Sequence, residues 1–532
     1  MSSGSAAGGW SRGRRSLEWA IVLAAAVGTG LILALMGGLA LKYQVAAVAG
    51  LLLSGLVLMH RDRRLILVLL WVLVMPLGME KVVDTGLSVG PEFSTQFIVF
   101  NAADVLLFLL AAVLLIEWHQ TGVCPFVGSP FATVWALILV WSAVSYAIHA
   151  FYLRDGLVHV APLSLLTAAR TLLFIVLLQS SVRDRGELIT VMLVLGGSLL
   201  LQSLVVMLSY ATEEVYNLTR LTGGTTLKLT TFGGDGGGAV IRATGTLGYT
   251  NQQAAYHAFC TLPLLSLLAL RNAAVRNAAI AVVCLSSIAI VLTFARGAWV
   301  AQGLAVIQAF GVFAWRRLIT PAAWLKGALV ALVACVALGA LSVPIIERLT
   351  KGGDDGATDS RLRMIALAVE LFEGNPVFGV GPGEYVEAGY RLEPVEDKAP
   401  EWEAPGAAPM VPPIGRLEVA RAVHPDGYFI TIPLAVHNRY LLSLSELGVP
   451  GLLLWLALFW IIVRACWRCA SANDGFYRFL GIAGGAVTTG LLVYMMVDLF
   501  ADDKSLQIMF LMPLLLCIAE QHQGASRSAV PA

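Results

Sequence analysis

The chain is 532 residues long, 58% hydrophobic and only 13% charged, with a mean hydropathy of +0.80, which is far from soluble globular usage. A formal net charge of +1 removes the electrostatic case for nucleic acid or a strongly acidic partner. What remains is a polytopic helical membrane protein in which charge matters by location.

In chain order, Arg12, Arg14 and Arg15 precede a long apolar segment without a clean small-residue cleavage site, which reads as an uncleaved first span. Apolar runs of spanning length begin near Leu17, Tyr43, Arg64, Ile98, Phe131, Ser164, Leu188, Asn251, Ala278, Ala298, Leu325, Tyr440, Phe479 and Ser505. At ~20 apolar residues per span, this predicts an all-α bundle of about 14 transmembrane helices. The short-loop arginines at 61, 63 and 64, at 183 and 185, at 271 and 276, at 316 and 317, and at 464, 468 and 478 then fall on one face with the N-terminal ones. The positive-inside rule makes that face cytoplasmic. The expected organisation is a cytoplasmic tail (1–16), spans (17–209), a glycine-rich outer loop (210–250), spans (251–346), a large outer loop (347–436), spans (437–521) and a second cytoplasmic tail (522–532).

The cysteines at 124, 260, 284, 335, 466, 469 and 517 avoid both large outer loops, so no disulfide framework is implied. Cys466-Trp467-Arg468-Cys469 lacks a partner pair and reads as a juxtamembrane turn. Two glycine-rich stretches fail as nucleotide sites: Phe232–Gly238 has no Gly-Lys-Ser/Thr ending, and Gly379–Gly383 places Pro382 where a dinucleotide fingerprint would open a helix.

The stretch from Glu347 to Val436 holds 15 acidic against 8 basic residues. Within it, Leu362, Ile365, Val369 and Phe372 recur at helical spacing until Gly374-Asn375-Pro376, which predicts an amphipathic helix lying on the membrane or the bundle. Pro394–Pro433 is proline-rich and is expected to be irregular.

Ionisable residues inside spans are functional candidates. Asp104, Arg170, Arg296, Glu446 and Asp498 all map to the outer portions of their spans; for Asp104, Arg170 and Asp498 a packing or snorkelling role stays open. Arg296, held by the tight Thr293–Ala298 connection, can grip a phosphate bidentately, and Arg242 and Arg361 would add donors. Arg348 and Arg439 are further candidates. His437 opens a span directly after the long loop and can accept a proton near neutral pH; His424 is the competing base. Arg439 and Glu446, seven residues apart, share a helix face, so Glu446 reads as a structural partner of Arg439.

Arg296, Arg361, His437, Arg439 and Glu446 fall within three of four ordered stretches: Gly245–Asn251, Thr293–Gly297, Ser360–Gly383 and His437–Gly451. Together they resemble the O-antigen ligase/polymerase superfamily of bacterial inner-membrane glycan transferases over about residues 242–463. The resemblance implies a GT-C-like bundle and a donor glycan on undecaprenyl diphosphate in the periplasmic leaflet. It also implies arginines on the diphosphate (Arg242, Arg296 and Arg361 here) and an essential histidine (His437). Arg170, Arg439 and His424 remain secondary candidates. The chain departs from the family in its longer, more acidic loop and its larger span count. The expected activity is an inverting transfer to a glycan or lipid A-core acceptor, without cofactor or metal, since the first outer loop near Lys42 has no carboxylate pair. A chain-length regulator is a candidate partner. The alternative is a flippase for the same lipid-linked glycan, which predicts charges through the whole depth of a cavity.

Overall fold

The computed structural model describes residues 62–77, 80–88, 95–153, 160–216, 231–232, 240–247, 249–318, 357–392, 419–423, 429–433, 435–497 and 503–528. The spans expected near Leu17, Tyr43 and Leu325 lie outside these residues, as do Arg348, His424 and Asp498. Among the described residues, nine helices are long and apolar enough to cross a membrane, and the chain is an all-α polytopic membrane protein.

The described helices are α1 (Arg63–Val74), α2 (Ala102–Thr121), α3 (Pro130–Ala147), α4 (Ala161–Ser181), α5 (Arg185–Thr212), α6 (Thr250–Cys260), α7 (Ala273–Leu292), α8 (Arg296–Trp315), α9 (Ala357–Gly374), α10 (Tyr385–Leu392), α11 (Arg439–Ala470), α12 (Gly475–Tyr494) and α13 (Asp503–Ser528). Several begin at side-chain caps: Ser129 accepts from the Ala132 N–H, Asp184 from Glu187, Asn272 from Ala274 and Asp474 from Phe476, satisfying donors that a helix start leaves unpaired. α13 is apolar all round, and Ile508–Met512 and Leu514–Ala519 are buried, as a central helix requires. Around it, Trp135, Trp455 and Phe510 form a cluster with ring centroids 5.0–5.9 Å apart, Trp135 edge-on to both and Trp455 stacked on Phe510.

The basic end of the bundle gathers the arginines that the sequence placed on one face. Arg64 pairs with Glu187, Arg183 with Glu117 at 2.7 Å, Arg185 with Asp474 at 2.8 Å and Arg468 with Glu520 at 2.6 Å. Arg316 donates to the Ala470 carbonyl at 2.9 Å.

Four expectations change. The apolar run near Ile98 is strand β2 (Thr95–Asn101), paired antiparallel with β1 (Glu80–Ser88); its β-branched and aromatic residues favour a ribbon, and the span starts only at Ala103. The segment from Asn251 is not one α-helix: α6 ends at Cys260 and a 3-10 stretch runs Leu262–Ala269, because Pro263 removes a donor and restricts its predecessor. The proline-rich stretch contains a hairpin, β5 (Val419–Val423) with β6 (Phe429–Pro433). A further small pair, Thr231–Phe232 with Val240–Ile241, lies in the glycine-rich loop. Finally, α9 packs on a different face from the expected one. Met364, Leu367, Ala368 and Leu371 are buried with Tyr385, Val436 and Leu442, whereas Leu362, Ile365 and Val369 are exposed.

Candidate functional site

α11 opens with Asn438, whose side chain accepts from the Leu441 N–H at 3.1 Å, but it does not continue straight. Gly448 has φ 66° and ψ −168°, and Pro450 follows. In an unbroken helix residues 439 and 455 would stand about 24 Å apart, yet the Arg439 guanidinium lies 4.5 Å from the Trp455 ring centroid. Arg439–Leu447 therefore folds toward the spanning segment at an angle. The Arg439 N–H donates to the Met495 carbonyl at 2.8 Å and the Tyr440 hydroxyl to Leu492 at 2.9 Å, fixing this short arm on the end of α12.

The break frees backbone groups, and the stretch after α9 takes them. Val380 N–H donates to the Ser445 carbonyl (2.8 Å) and Gly381 N–H to that of Glu446 (3.0 Å), while Val449 N–H donates to that of Pro376 (2.9 Å). Trp141 Nε1 donates to the Leu447 carbonyl at 2.9 Å. At membrane depth such backbone groups must be satisfied within the protein. α3 and the π-helical turn that continues it (Ile148–Leu153) hold the loop from its other side: the Ser145 hydroxyl donates to Phe378 O (2.8 Å), His149 Nε2 to Gly379 O (2.9 Å), and the Trp141 ring stacks on Phe378. Glycine is required where the two backbones meet. A Cβ on Gly379, at φ +69°, would lie 2.2 Å from the Glu446 carbonyl carbon, and one on Gly448 would lie 2.1 Å from Val377 O. The Glu446 carboxylate accepts from the Gly383 and Tyr385 N–H groups, and Glu384 Oε1 accepts from Val160 (2.7 Å) and Ala161 (2.8 Å) at the start of α4. Glu446 is thus more than a partner of Arg439, whose charge it also feels: it organises the loop.

This clasp seats α9 against the mouth of α11. Tyr385 is buried, its hydroxyl donating to Met364 O at 2.8 Å; burial first, and the Glu446 carboxylate second, push its pKa up, so it stays a donor. His437 is half-buried beside α9. Burial, with the positive charge of Arg361 as the second cause, holds the imidazole below its ordinary value of 6.5. It is neutral at pH 7 and able to accept a proton.

Arg242 and Arg296 are brought together by another turn. Phe294, at φ 51°, reverses the chain between α7 and α8, a left-handed conformation that costs a non-glycine residue roughly 1–2 kcal/mol; its ring is fully buried. Arg296 is the first residue of α8, while Arg242 donates to Thr293 O at 3.3 Å and to Asn251 Oδ1 at 3.1 Å. Asn251, which holds Arg242, is a positioning residue that the sequence reading did not single out. Gly297 packs against Tyr494 and Val497, beside the Met495 carbonyl that anchors Arg439. The turn that carries Arg242 and Arg296 and the mouth of α11 therefore both border the end of α12.

The secondary candidates fare differently. Arg170 is ion-paired with Asp104, and both side chains are largely buried (12% and 4% exposed). It lies roughly 14 Å along α4, and its partner Asp104 stands in the first turn of α2. Arg439 is half-buried, its guanidinium over the Trp455 ring. Arg170→Met is expected to destabilise the fold by about 3–5 kcal/mol, because it strands the buried Asp104 charge. Arg170→Met with Asp104→Leu should recover most of that in a thermal unfolding series; a double variant as unstable as Arg170→Met would show that the loss does not come from the stranded carboxylate.

A multi-pass apolar bundle with a polar mouth, where a broken helix meets a re-entrant loop, is the class that this fold defines. Residues 280–456 match the family model for O-antigen ligase (Wzy_C), and that match supports the resemblance to the O-antigen ligase/polymerase superfamily. The matched region contains Arg296, Arg361, His437 and both backbone stretches of the clasp; Arg242 and the clasp residues Trp141, Ser145 and His149 lie before it. No curated protein matches the chain. The family supports glycosyl transfer of the ligase or polymerase kind.

Proposed function

We propose that the chain transfers a glycan from undecaprenyl diphosphate to an acceptor sugar hydroxyl at the periplasmic face of the bacterial inner membrane, with the basic end of the bundle in the cytoplasm. The observation that carries this reading is the position of half-buried His437, immediately before the Asn438 cap at the mouth of the broken helix α11. His437 takes the proton of the acceptor hydroxyl as its oxygen attacks the anomeric carbon. The bond from that carbon to the diphosphate oxygen breaks on the opposite side, so the configuration inverts. The diphosphate leaves on its lipid, its growing charge met by Arg296, Arg242 and Arg361. Diphosphate is a good leaving group, so neither a general acid nor a metal is required.

The acidic 347–436 region is suited to covering an extended glycan or a protein partner such as a chain-length regulator, which favours a polymerase over a ligase. Proteoliposomes containing the purified chain, supplied with a lipid-linked repeat unit with and without lipid A-core, separate the readings. A ladder without core means polymerase and product on core means ligase. No glycan transferred in either arm would overturn the proposal.

The pH profile carries a sign. A base must be deprotonated, and the His437 pKa lies below 6.5, so transfer holds through pH 7 and falls only at lower pH. Arg361→Ala removes one cause of the depression, and its acid limb moves to higher pH whatever it does to the rate plateau. An unmoved limb would show that the limb does not report His437.

A further inference from the structure

At the basic end, α3, α11 and α13 enclose a cavity of about 250 Å³ whose lining includes Ser129, Phe131, Arg464, Arg468, Glu520 and Gly524. Arg464 and Arg468 are one helical turn apart and share a face. Glu520 serves both, at 3.8 Å and 2.6 Å, so one carboxylate stands against two guanidinium groups. Arg464 Nε is buried without a hydrogen-bond partner. The N-terminus of α3 reaches the same space through Ser129 and Phe131 and adds the positive end of its dipole. A Cβ on Gly524 would meet nothing within 4 Å, which leaves the cavity open on that side. On α11, Trp460 and Trp467 are 69% and 71% exposed and Val463 is 42% exposed. Aromatic rings gather at headgroup level in membrane proteins, and these side chains offer acyl chains an apolar flank beside the cavity.

We propose that this cavity binds the phosphate of an anionic glycerophospholipid headgroup, in the leaflet opposite the transfer site. Two arginines against one carboxylate leave the wall short of negative charge. The space suits a headgroup while the acyl chains stay in the bilayer. The lipid in place would tie α3, α11 and α13 together at the end away from the clasp, independently of which glycan the chain transfers.

The test is native mass spectrometry of the full chain in a mild detergent, with phosphatidylglycerol, cardiolipin or phosphatidylethanolamine added. The wild type is expected to retain the two anionic lipids over phosphatidylethanolamine, and Arg464→Gln and Arg468→Gln each to lower that preference by about fivefold. Glu520→Gln removes the competing carboxylate and should raise retention, which keeps the test decisive if the arginine variants prove unstable. The proposal is overturned by a wild type without headgroup preference, by arginine variants with unchanged preference, or by Glu520→Gln without a gain. Displacement of the lipid by equimolar glycerol 3-phosphate would overturn the lipid as the source of the phosphate.

Discussion

His437→Ala lowers glycan transfer in proteoliposomes by about 100- to 10,000-fold, the range associated with loss of a positioned general base. The side chain is half-buried and its ring is neutral at pH 7, so truncation strands no charge and the melting temperature should move little. That separation makes the experiment sharp, since the rate collapses while the fold survives. His437→Gln keeps a polar side chain of similar reach but cannot take a proton at neutral pH, and should be as inactive as alanine. Wild-type transfer in either variant would remove His437 from the chemistry, leaving the arginines as binding residues awaiting another base.

Gly448→Ala and Gly379→Ala are expected to unfold the mouth of the site. Both residues are in the left-handed region and both lie backbone to backbone, with a Cβ 2.1–2.2 Å from its nearest neighbour across the clasp. The conformational penalty alone is roughly 1–2 kcal/mol. Separating the strands also leaves buried carbonyls unpaired at about 1–3 kcal/mol each. Thermal unfolding in detergent should therefore show a loss of about 3 kcal/mol or more, among the larger effects of single substitutions. Transfer should fail with it, because the loop seats α9 and hence Arg361. Gly197→Ala and Gly303→Ala are the controls: each sits in a spanning helix with nothing within 4 Å of the added Cβ, and neither should lower stability. A stable, active Gly448→Ala would show that the clasp is dispensable.

Much of this was legible in the residues. Hydropathy set the bundle, the arginine bias sorted its ends, and the four ordered stretches led to the family whose model matches residues 280–456. The losses have physical causes. α9 carries two apolar stripes, one at 362, 365 and 369 and one at 364, 367, 368 and 371, and periodicity alone cannot choose between them; the choice rests with Tyr385, Val436 and Leu442 across the interface. The run at Thr95–Asn101 is apolar enough to begin a span but pairs as a ribbon. Gly448 and Pro450 mark a helix break, yet what matters is which partner takes the freed carbonyls, and those donors sit about seventy residues upstream in the 376–385 loop and on α3. Asn251 closes one of the four family-like stretches, but only its contact with Arg242 shows what its side chain does.

The clasp also sets an order of assembly. Trp141 and Leu447 are 306 residues apart, and His149 and Gly379 are 230 apart. At ordinary synthesis rates, roughly 15 to 60 seconds pass between making α3 and making its last partner. During that interval α3 sits in lipid with an indole, a hydroxyl and an imidazole turned toward carbonyls that do not yet exist. The N-terminal half is thus a waiting template, and the clasp closes only when the ribosome has passed Leu447, so a nascent chain arrested before that point carries every element of the loop but not the α11 backbone it grips.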